Sequence, residues 1–548
     1  MKKKLVLFLS LFCLLLQVPI LSQVADTVVV PSSDSKGNAD ALARFILGDT
    51  TATGARNNIN RVYKLTRGEI YLLTGRVYCQ FPLTLIADDD NTKQLPVIAA
   101  FPLADGSVAR ISLYLYQNSK LKNIYFQGMS PATTRNSGDR PFVLAGNNMR
   151  VEADNIIVEA FLSGGPSNAG SNNSLFMTNC ELRNINNKSQ FNGNFFYNGG
   201  QNMDTVSIVN CTFFNAASYF LCCSKQFTNF VRFEHNTLFI NQDNPFYVPF
   251  LSKAVIKNNI LYTPAICGEL PSERRDGYYD WDNEHLAVFS IDTIPTDMAT
   301  QFKISESDRS INFSNNAYFW PQKIKDYWKT IDSLTPPVWM NERTKAMFND
   351  KVHYPHLTAN NNIEADPGFN SNVMVMVDSA LTNIMTLRSG GKTHYYFFNP
   401  SGETIFPCRY PVPEKLNYTN TALQTAAEGG FPLGDLNWYP EKKALWKTWI
   451  TDVEKTPAKV PNNYSLEQNY PNPFNPSTII KFQLSKAGMT TLKVYDILGK
   501  VVATLINKEM PEGSNMVTFN AASLPSGIYF YRLESGSFSS VKKLMLIK

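Results

Sequence analysis

The feature that most restricts the fold is a repeat centred on asparagine. Between about residues 110 and 320 the segments KNIYF (122–126), DNIIV (154–158), TNCEL (178–182), VNCTF (209–213), HNTLF (235–239), NNILY (258–262) and NNAYF (315–319) share one pattern. Aligned on Asn123, Asn155, Asn179, Asn210, Asn236, Asn259 and Asn316, neighbouring units are 32, 24, 31, 26, 23 and 57 residues apart. A period of this size marks a stacked repeat rather than a single compact domain. The residue after each Asn is small or β-branched in this alignment, and the third residue on is large and apolar, from Phe126 to Phe213, Phe239, Tyr262 and Phe319. The residue between them, including Glu181 and Thr212, varies freely. That is the period-2 logic of a strand with alternate faces. The first and third positions are therefore expected inside and the second outside. Asparagine fills about one position in ten of the 548-residue chain, and it is the side-chain-bearing residue that best tolerates a left-handed turn.

A strand, a left-handed Asn turn and a second strand repeated every 23–32 residues predict an all-β right-handed parallel β-helix. Asn179, Asn210, Asn236 and Asn259 are expected at equivalent turns, about one strand spacing (roughly 4.8 Å) apart. Cys180 and Cys211 then become neighbours in one inward column, as stacked thiols rather than a bridge. A leucine-rich repeat also carries a recurrent Asn, but it needs an apolar residue two places on, where this chain has Glu181 and Thr212. An amphipathic helix around residues 38–50 is expected to cover the first coil. The entry GEIYLLTGRVY…PLTLIAD (68–88) and an ADPGF stretch (365–369) are similar to secreted pectate-lyase-like β-helix proteins, a resemblance that spans roughly residues 30–440 on degenerate motifs.

The ends have a different texture. Residues 1–22, MKKKLVLFLSLFCLLLQVPILS, read as a secretory signal peptide with cleavage after Ser22. Residues 23–455 are then the passenger, 456–463 a linker, and 464–548 a small C-terminal β-sandwich of about six short alternating strands. Within 464–548, Asn469-Tyr470-Pro471-Asn472-Pro473-Phe474, the stretch Tyr495–Lys500 with Gly499, and Gly527-Ile528-Tyr529 stand in the order found in the type A C-terminal sorting domain of the type IX secretion system. That resemblance implies passage through the periplasm and across a Gram-negative outer membrane. It also implies the type IX machinery as partner, and release or attachment at the cell surface.

Charge excludes one class of partner. Three of the 51 basic residues lie in the leader, leaving 48 against 46 acidic ones and no field suited to nucleic acid. Seven cysteines outside the leader, an odd number, and five dispersed histidines give no disulfide framework and no metal-ligand spacing. No cofactor is expected. Calcium is conceivable only at Asp280, Asp282 and Glu284, which alternate without the glycine turn of a known loop. For the passenger, a polysaccharide is the expected partner, since a long parallel sheet repeats the same contacts along a polymer. A lyase or glycosidase acting on an acidic glycan is the alternative, and fold alone does not decide between them. Two groups of residues are candidates for the ligand site. Arg232, Glu234 and Lys257 fall on adjacent outward positions, in columns expected to run Arg150, Phe176, Ser207, Arg232, Val255 and Glu152, Thr178, Val209, Glu234, Lys257. The insertion at 272–285 brings together Arg274, Arg275, Asp276, Tyr278, Tyr279, Asp280 and Trp281, aromatics that stack on sugar faces and charges that hold hydroxyls or carboxylates.

Overall fold

The computed structural model describes residues 26–33, 38–90, 92–130, 133–137, 139–185, 193–216, 218–223, 226–271, 287–390, 412–455, 464–469, 471–486, 488–510, 513–536 and 538–547. The chain divides into two compact units, Met1–Lys442 and Lys443–Lys548. The leader and the 272–285 insertion lie outside the described residues.

The first unit is a parallel β-solenoid with three long sheets of eleven, ten and seven strands. Successive strands pass from sheet to sheet: Asn173–Thr178 lies in the eleven-stranded sheet, Glu181–Ile185 in the ten-stranded and Phe196–Asn198 in the seven-stranded, before Met203–Val209 returns beside Asn173–Thr178. Pairing within these sheets is parallel, so equivalent side chains stack along the axis. One inward column of the eleven-stranded sheet reads Val151, Leu175, Val206, Val231, Ala254 and Ile311, all buried.

The asparagine turn is real, and its register departs from the expected one. Asp154, Thr178, Val209, Glu234, Lys257 and Ser314 pair across the eleven-stranded sheet. The residue after each is left-handed: Asn155 (φ 51°), Asn179 (56°), Asn210 (52°), His235 (52°), Asn258 (61°) and Asn315 (53°). Asn123 (58°) and Asn361 (55°) extend the column at either end. Asn236, Asn259 and Asn316 therefore stand one place later than the alignment put them, level with Cys180 and Cys211. There they form a buried inward ladder. Asn236 Nδ2 donates to Asn259 Oδ1 at 3.2 Å, Asn259 to Asn316 at 2.8 Å and Asn316 to Asn362 at 2.9 Å. Cys211 N donates to Asn236 Oδ1 at 2.9 Å, so the thiol column runs directly into the amide column. The described cysteines Cys79, Cys180, Cys211, Cys222, Cys223 and Cys267 are all buried.

A one-residue slip moves a strand's side chains to the opposite face. Phe213 is inward as expected, pairing with Leu182 and Leu238 and meeting Phe220 at 4.2 Å. Phe239, Tyr262 and Phe319 are outward, the reverse of the expectation, in register with Phe214. Phe239 lies parallel to Phe214 at 5.1 Å and to Tyr262 at 5.1 Å, a ladder of stacked rings. These rings stay buried because the outer face of the ten-stranded sheet is covered. Residues 412–439, a strap, and the helix Ser371–Arg388 lie over it: Tyr262 OH reaches Met374 Sδ at 3.5 Å, Asn437 Nδ2 donates to Asn210 O at 2.8 Å, and Gly434 N donates to Asn258 O at 2.8 Å.

Both ends of the solenoid are closed. The helix Ala41–Leu47 buries Leu42 and Ile46, with Phe45 edge-on to Tyr63. At the far end Trp339 stacks on Tyr318 at 4.1 Å, and the helix Glu342–Asn349 buries Met347 and Phe348. The second unit pairs a three-stranded sheet with a four-stranded one, both antiparallel, around Ile480, Phe482, Leu492, Val494, Tyr531, Leu533 and Leu544. Among the described residues no helix is long and apolar enough to cross a membrane.

Candidate functional site

The eleven-stranded sheet presents its outer face to solvent. Columns of this face are Arg150, Ser174, Thr205, Phe230, Lys253, Ser310; then Glu152, Phe176, Ser207, Arg232, Val255, Asn312; then Asp154, Thr178, Val209, Glu234, Lys257, Ser314. Arg150 and Glu152 thus sit two residues from the columns expected for them, on the same face, and Glu152 and Asp154 take those places. Arg150, Asn229, Lys253 and Ser310 are exposed, while Phe176, Phe230 and Arg232 are partly so. The Arg150 guanidinium lies 3.5 Å over the Phe176 ring, a cation held against an aromatic face by the ring's quadrupole.

The carboxylates of this face have partners within it. Arg150 Nε meets Glu152 Oε1 at 2.7 Å, Thr178 and Asn179 donate to Asp154 at 2.9 and 2.6 Å, and Ser174 and Asn229 hold Asp204 at 3.0 and 3.1 Å. The structure brings Arg232, Glu234 and Lys257 together: Arg232 Nη2 lies 2.7 Å from Glu234 Oε2 and Lys257 Nζ 3.5 Å from Glu234 Oε1. Lys257 also pairs with Glu428 of the strap. Burial alone would raise the Glu234 carboxyl; the charges of Arg232 and Lys257 outweigh it and hold the group below the usual range. This trio is therefore a tie between rungs and strap. Arg274, Arg275, Asp276, Tyr278, Tyr279, Asp280 and Trp281 lie outside the described residues.

A second charged cluster went unnoticed in the sequence. On the outer face of the ten-stranded sheet, Gln127, Glu159 and Arg183 occupy one column, in register with Phe214 and Phe239, and all three are buried. Arg183 grips Glu414 of the strap with two parallel bonds, Nε to Oε1 at 2.5 Å and Nη2 to Oε2 at 2.7 Å, and its Nη1 pairs with Glu159. Glu159 also accepts from Asn184 Nδ2 at 2.9 Å, Gln127 Nε2 at 3.2 Å and the Tyr125 hydroxyl. Glu181 stands beside them with burial and the neighbouring Glu414 charge pushing its carboxyl well above the ordinary range, against the pull of Arg183. Thr212, expected to face solvent, is covered: its Oγ1 donates to Asp435 Oδ2 at 2.7 Å and accepts from Trp438 Nε1 at 2.8 Å. The only hint in the sequence was polar residues at outward positions. Glu414 lies 231 residues from Arg183, a pairing that local pattern cannot supply.

The sorting-motif residues form a tie inside the second unit. Asn469 N donates to Tyr531 OH at 2.7 Å, and its side chain donates to Pro471 O at 3.0 Å and Thr478 Oγ1 at 2.9 Å. Asn472 Oδ1 accepts from Met545 N at 2.8 Å, and the Asn472–Pro473 peptide is cis. Phe474 is buried, with its backbone bonded to Met545 O and Ile547 N of the chain end. Gly499 (φ 81°) completes a turn whose Asp496 Oδ1 accepts from Leu498 and Lys500 N, both at 2.9 Å. Tyr529 OH donates to Pro525 O at 2.8 Å, and Tyr470 is outside the described residues. A family model described as a secretion system C-terminal sorting domain matches residues 468–548.

The chain carries a sorting domain. It implies secretion or cell-surface localisation by the type IX route, with that machinery as partner. No pectate-lyase family model matches the solenoid. No curated protein matches the chain. Among the described residues, no group of three or more His, Cys, Asp or Glu is placed to hold a metal ion.

Proposed function

We propose that the protein is an exported, surface-delivered solenoid that binds an extended polysaccharide along the outer face of the eleven-stranded sheet. The observation that carries this reading is the in-register ladder, in which Arg150, Phe176, Phe230 with Arg232, and Lys253 stand at least partly exposed on four rungs, on either side of the buried Thr205–Ser207 rung. Such a ladder repeats its contacts at the strand spacing, as a polymer repeats its units. The pairing of Glu152, Asp154, Asp204 and Glu234 favours binding over acid–base chemistry on this face. Arg274, Arg275, Asp276, Tyr278, Tyr279, Asp280 and Trp281 add a second set of stacking and charged groups to the reading. Signal-peptide cleavage after Ser22 begins the route, and the sorting domain completes it.

A glycan array with the purified protein tests the proposal. Phe176→Ala should weaken binding to the captured polysaccharide about tenfold, roughly 1.4 kcal/mol, without moving the melting temperature by more than a degree or two. Unchanged binding in that variant overturns the assignment to this face.

A further inference from the structure

The four-stranded sheet of the second unit holds apolar side chains in water that its own core does not use. Its strands lie in the order Val501–Met510, Gly488–Tyr495, Gly527–Ser535 and Phe538–Leu546. One row across the outer face reads Val501, Tyr495, Phe530, Lys543, and the next reads Thr504, Lys493, Arg532, Val541. Val501, Phe530 and Val541 are exposed, as is Ile528, two places from Phe530 on the same face. Leu492, Tyr531 and Leu544 point the other way and close the core.

The turn beside this face adds two more apolar side chains. Ile497 is 71% exposed and Leu498 88%. The turn is fixed by its own bonds: Asp496 N donates to Lys500 O at 3.0 Å, and Asp496 Oδ1 accepts from the amides of Leu498 and Lys500. Aliphatic side chains scattered singly on a surface need no explanation. Here a rigid turn holds two of them out beside Val501, and the patch runs on through Phe530 to Ile528. A contiguous apolar patch marks an interaction surface.

Charge narrows what covers it. Arg532 is engaged within the face, by Glu534 Oε1 at 3.1 Å and the Tyr495 hydroxyl at 2.9 Å. Lys493, Lys500 and Lys543 border the patch, and among the described residues no carboxylate pairs with them. The complementary surface is an apolar recess edged by carboxylates. Turn and sheet both fall within residues 468–548, the match to a sorting domain, which implies contact with the type IX machinery.

We infer that the Ile497–Leu498 turn and the adjoining Phe530 face are the surface by which the second unit docks on the type IX machinery, against a protein recess that is apolar at its floor and acidic at its rim. This docking rests on the sorting-domain match and is independent of glycan binding by the solenoid.

The test follows the full chain in a Gram-negative bacterium with a type IX system, comparing surface and periplasmic fractions. Ile497→Ser with Leu498→Ser, and separately Lys493→Glu with Lys543→Glu, should each lower the surface fraction at least tenfold, with an unchanged melting profile in the purified chain. Two controls should be delivered normally: Val352→Ser, at an 84% exposed aliphatic of the solenoid, and Lys508→Glu, at the opposite end of the sheet. Equal loss of delivery in the controls overturns the assignment to this surface. Delivery of a chain lacking residues 464–548 removes the sorting role itself, whereas its retention beside normal delivery of both pairs overturns the docking surface alone. If the serine pair unfolds the second unit, the charge pair decides; unfolding in both assigns these side chains to structure and overturns the inference. Wild-type binding to phosphatidylglycerol vesicles that either pair abolishes would make this a lipid-facing surface, and a sedimenting dimer that either pair splits would make it a contact between copies. Either result overturns the machinery assignment.

Discussion

The left-handed residue that follows each strand of the eleven-stranded sheet decides which side chains of the next strand enter the core. The sequence shows the turn clearly but leaves its position ambiguous wherever two candidates adjoin, as at His235-Asn236, Asn258-Asn259 and Asn315-Asn316. A choice wrong by one residue inverts every assignment in the following strand, which is why Phe213 was legible as core and Phe239 was not. Both aromatics are buried, Phe213 inside and Phe239 beneath the cover. Phe213→Ala and Phe239→Ala should each lower stability by about 3–5 kcal/mol in denaturant titrations. Thr212→Ala removes the bonds that Thr212 Oγ1 makes to Asp435 Oδ2 and Trp438 Nε1, at a cost of about 1–3 kcal/mol. Trp281 separates two readings of the 272–285 loop. If it stacks on sugar, Trp281→Ala should weaken glycan binding by about 1–3 kcal/mol at an unchanged melting temperature; a packed Trp281 would instead show a loss of several kcal/mol in stability.

The strap is the element whose attachment responds to protons. His235 replaces asparagine in the left-handed column, and its Nε2 lies 3.3 Å from Asn258 Nδ2. Burial holds the ring down to about 4, against the pull of Glu234 and with Lys257 and Arg232 nearby. A base whose folded pKa lies below its unfolded value of 6.5 contributes stability that is complete above 6.5 and lost as pH falls through about 4. His235→Asn should therefore keep about 3 kcal/mol more stability than wild type near pH 4, with the gap closing above pH 7. Glu181 has the opposite sign. Its raised folded pKa makes its contribution complete below the unfolded value and lost as pH rises through the folded one. Glu181→Gln, which mimics the protonated form, should raise the melting temperature at pH 8 and leave it unchanged at pH 4. None of this was legible from the repeat. Strand alternation reports one face of a sheet as outside, but it cannot say that a segment some 200 residues later, with Asp435 beside Thr237 and Glu428 beside Lys257, returns to cover that face.

At the scale of the whole molecule, the two units have cores of their own. The second unit closes around Ile480, Leu492, Tyr531 and Leu544, while the solenoid is filled by columns such as Val151 to Ile311 and capped at both ends by its own helices. A unit with a complete core folds without its neighbour. The sorting motifs act within the second unit, where Asn472 and Phe474 tie the start of the module to its last strand, Phe538–Leu546, and Asn469 ties it to Tyr531 in the strand Gly527–Ser535. Removing residues 464–548 should therefore leave the solenoid's melting temperature and circular dichroism unchanged while stopping export, so that the passenger collects in the periplasm. Asn469→Ala separates folding of the module from its address. It deletes the amide's bonds to Pro471 O and Thr478 Oγ1 in a buried position, which should destabilise the second unit by about 1–3 kcal/mol and reduce export without touching the solenoid. Normal surface delivery of the truncated chain would mean that the export signal lies in the passenger, and the role given to the C-terminal module would fall.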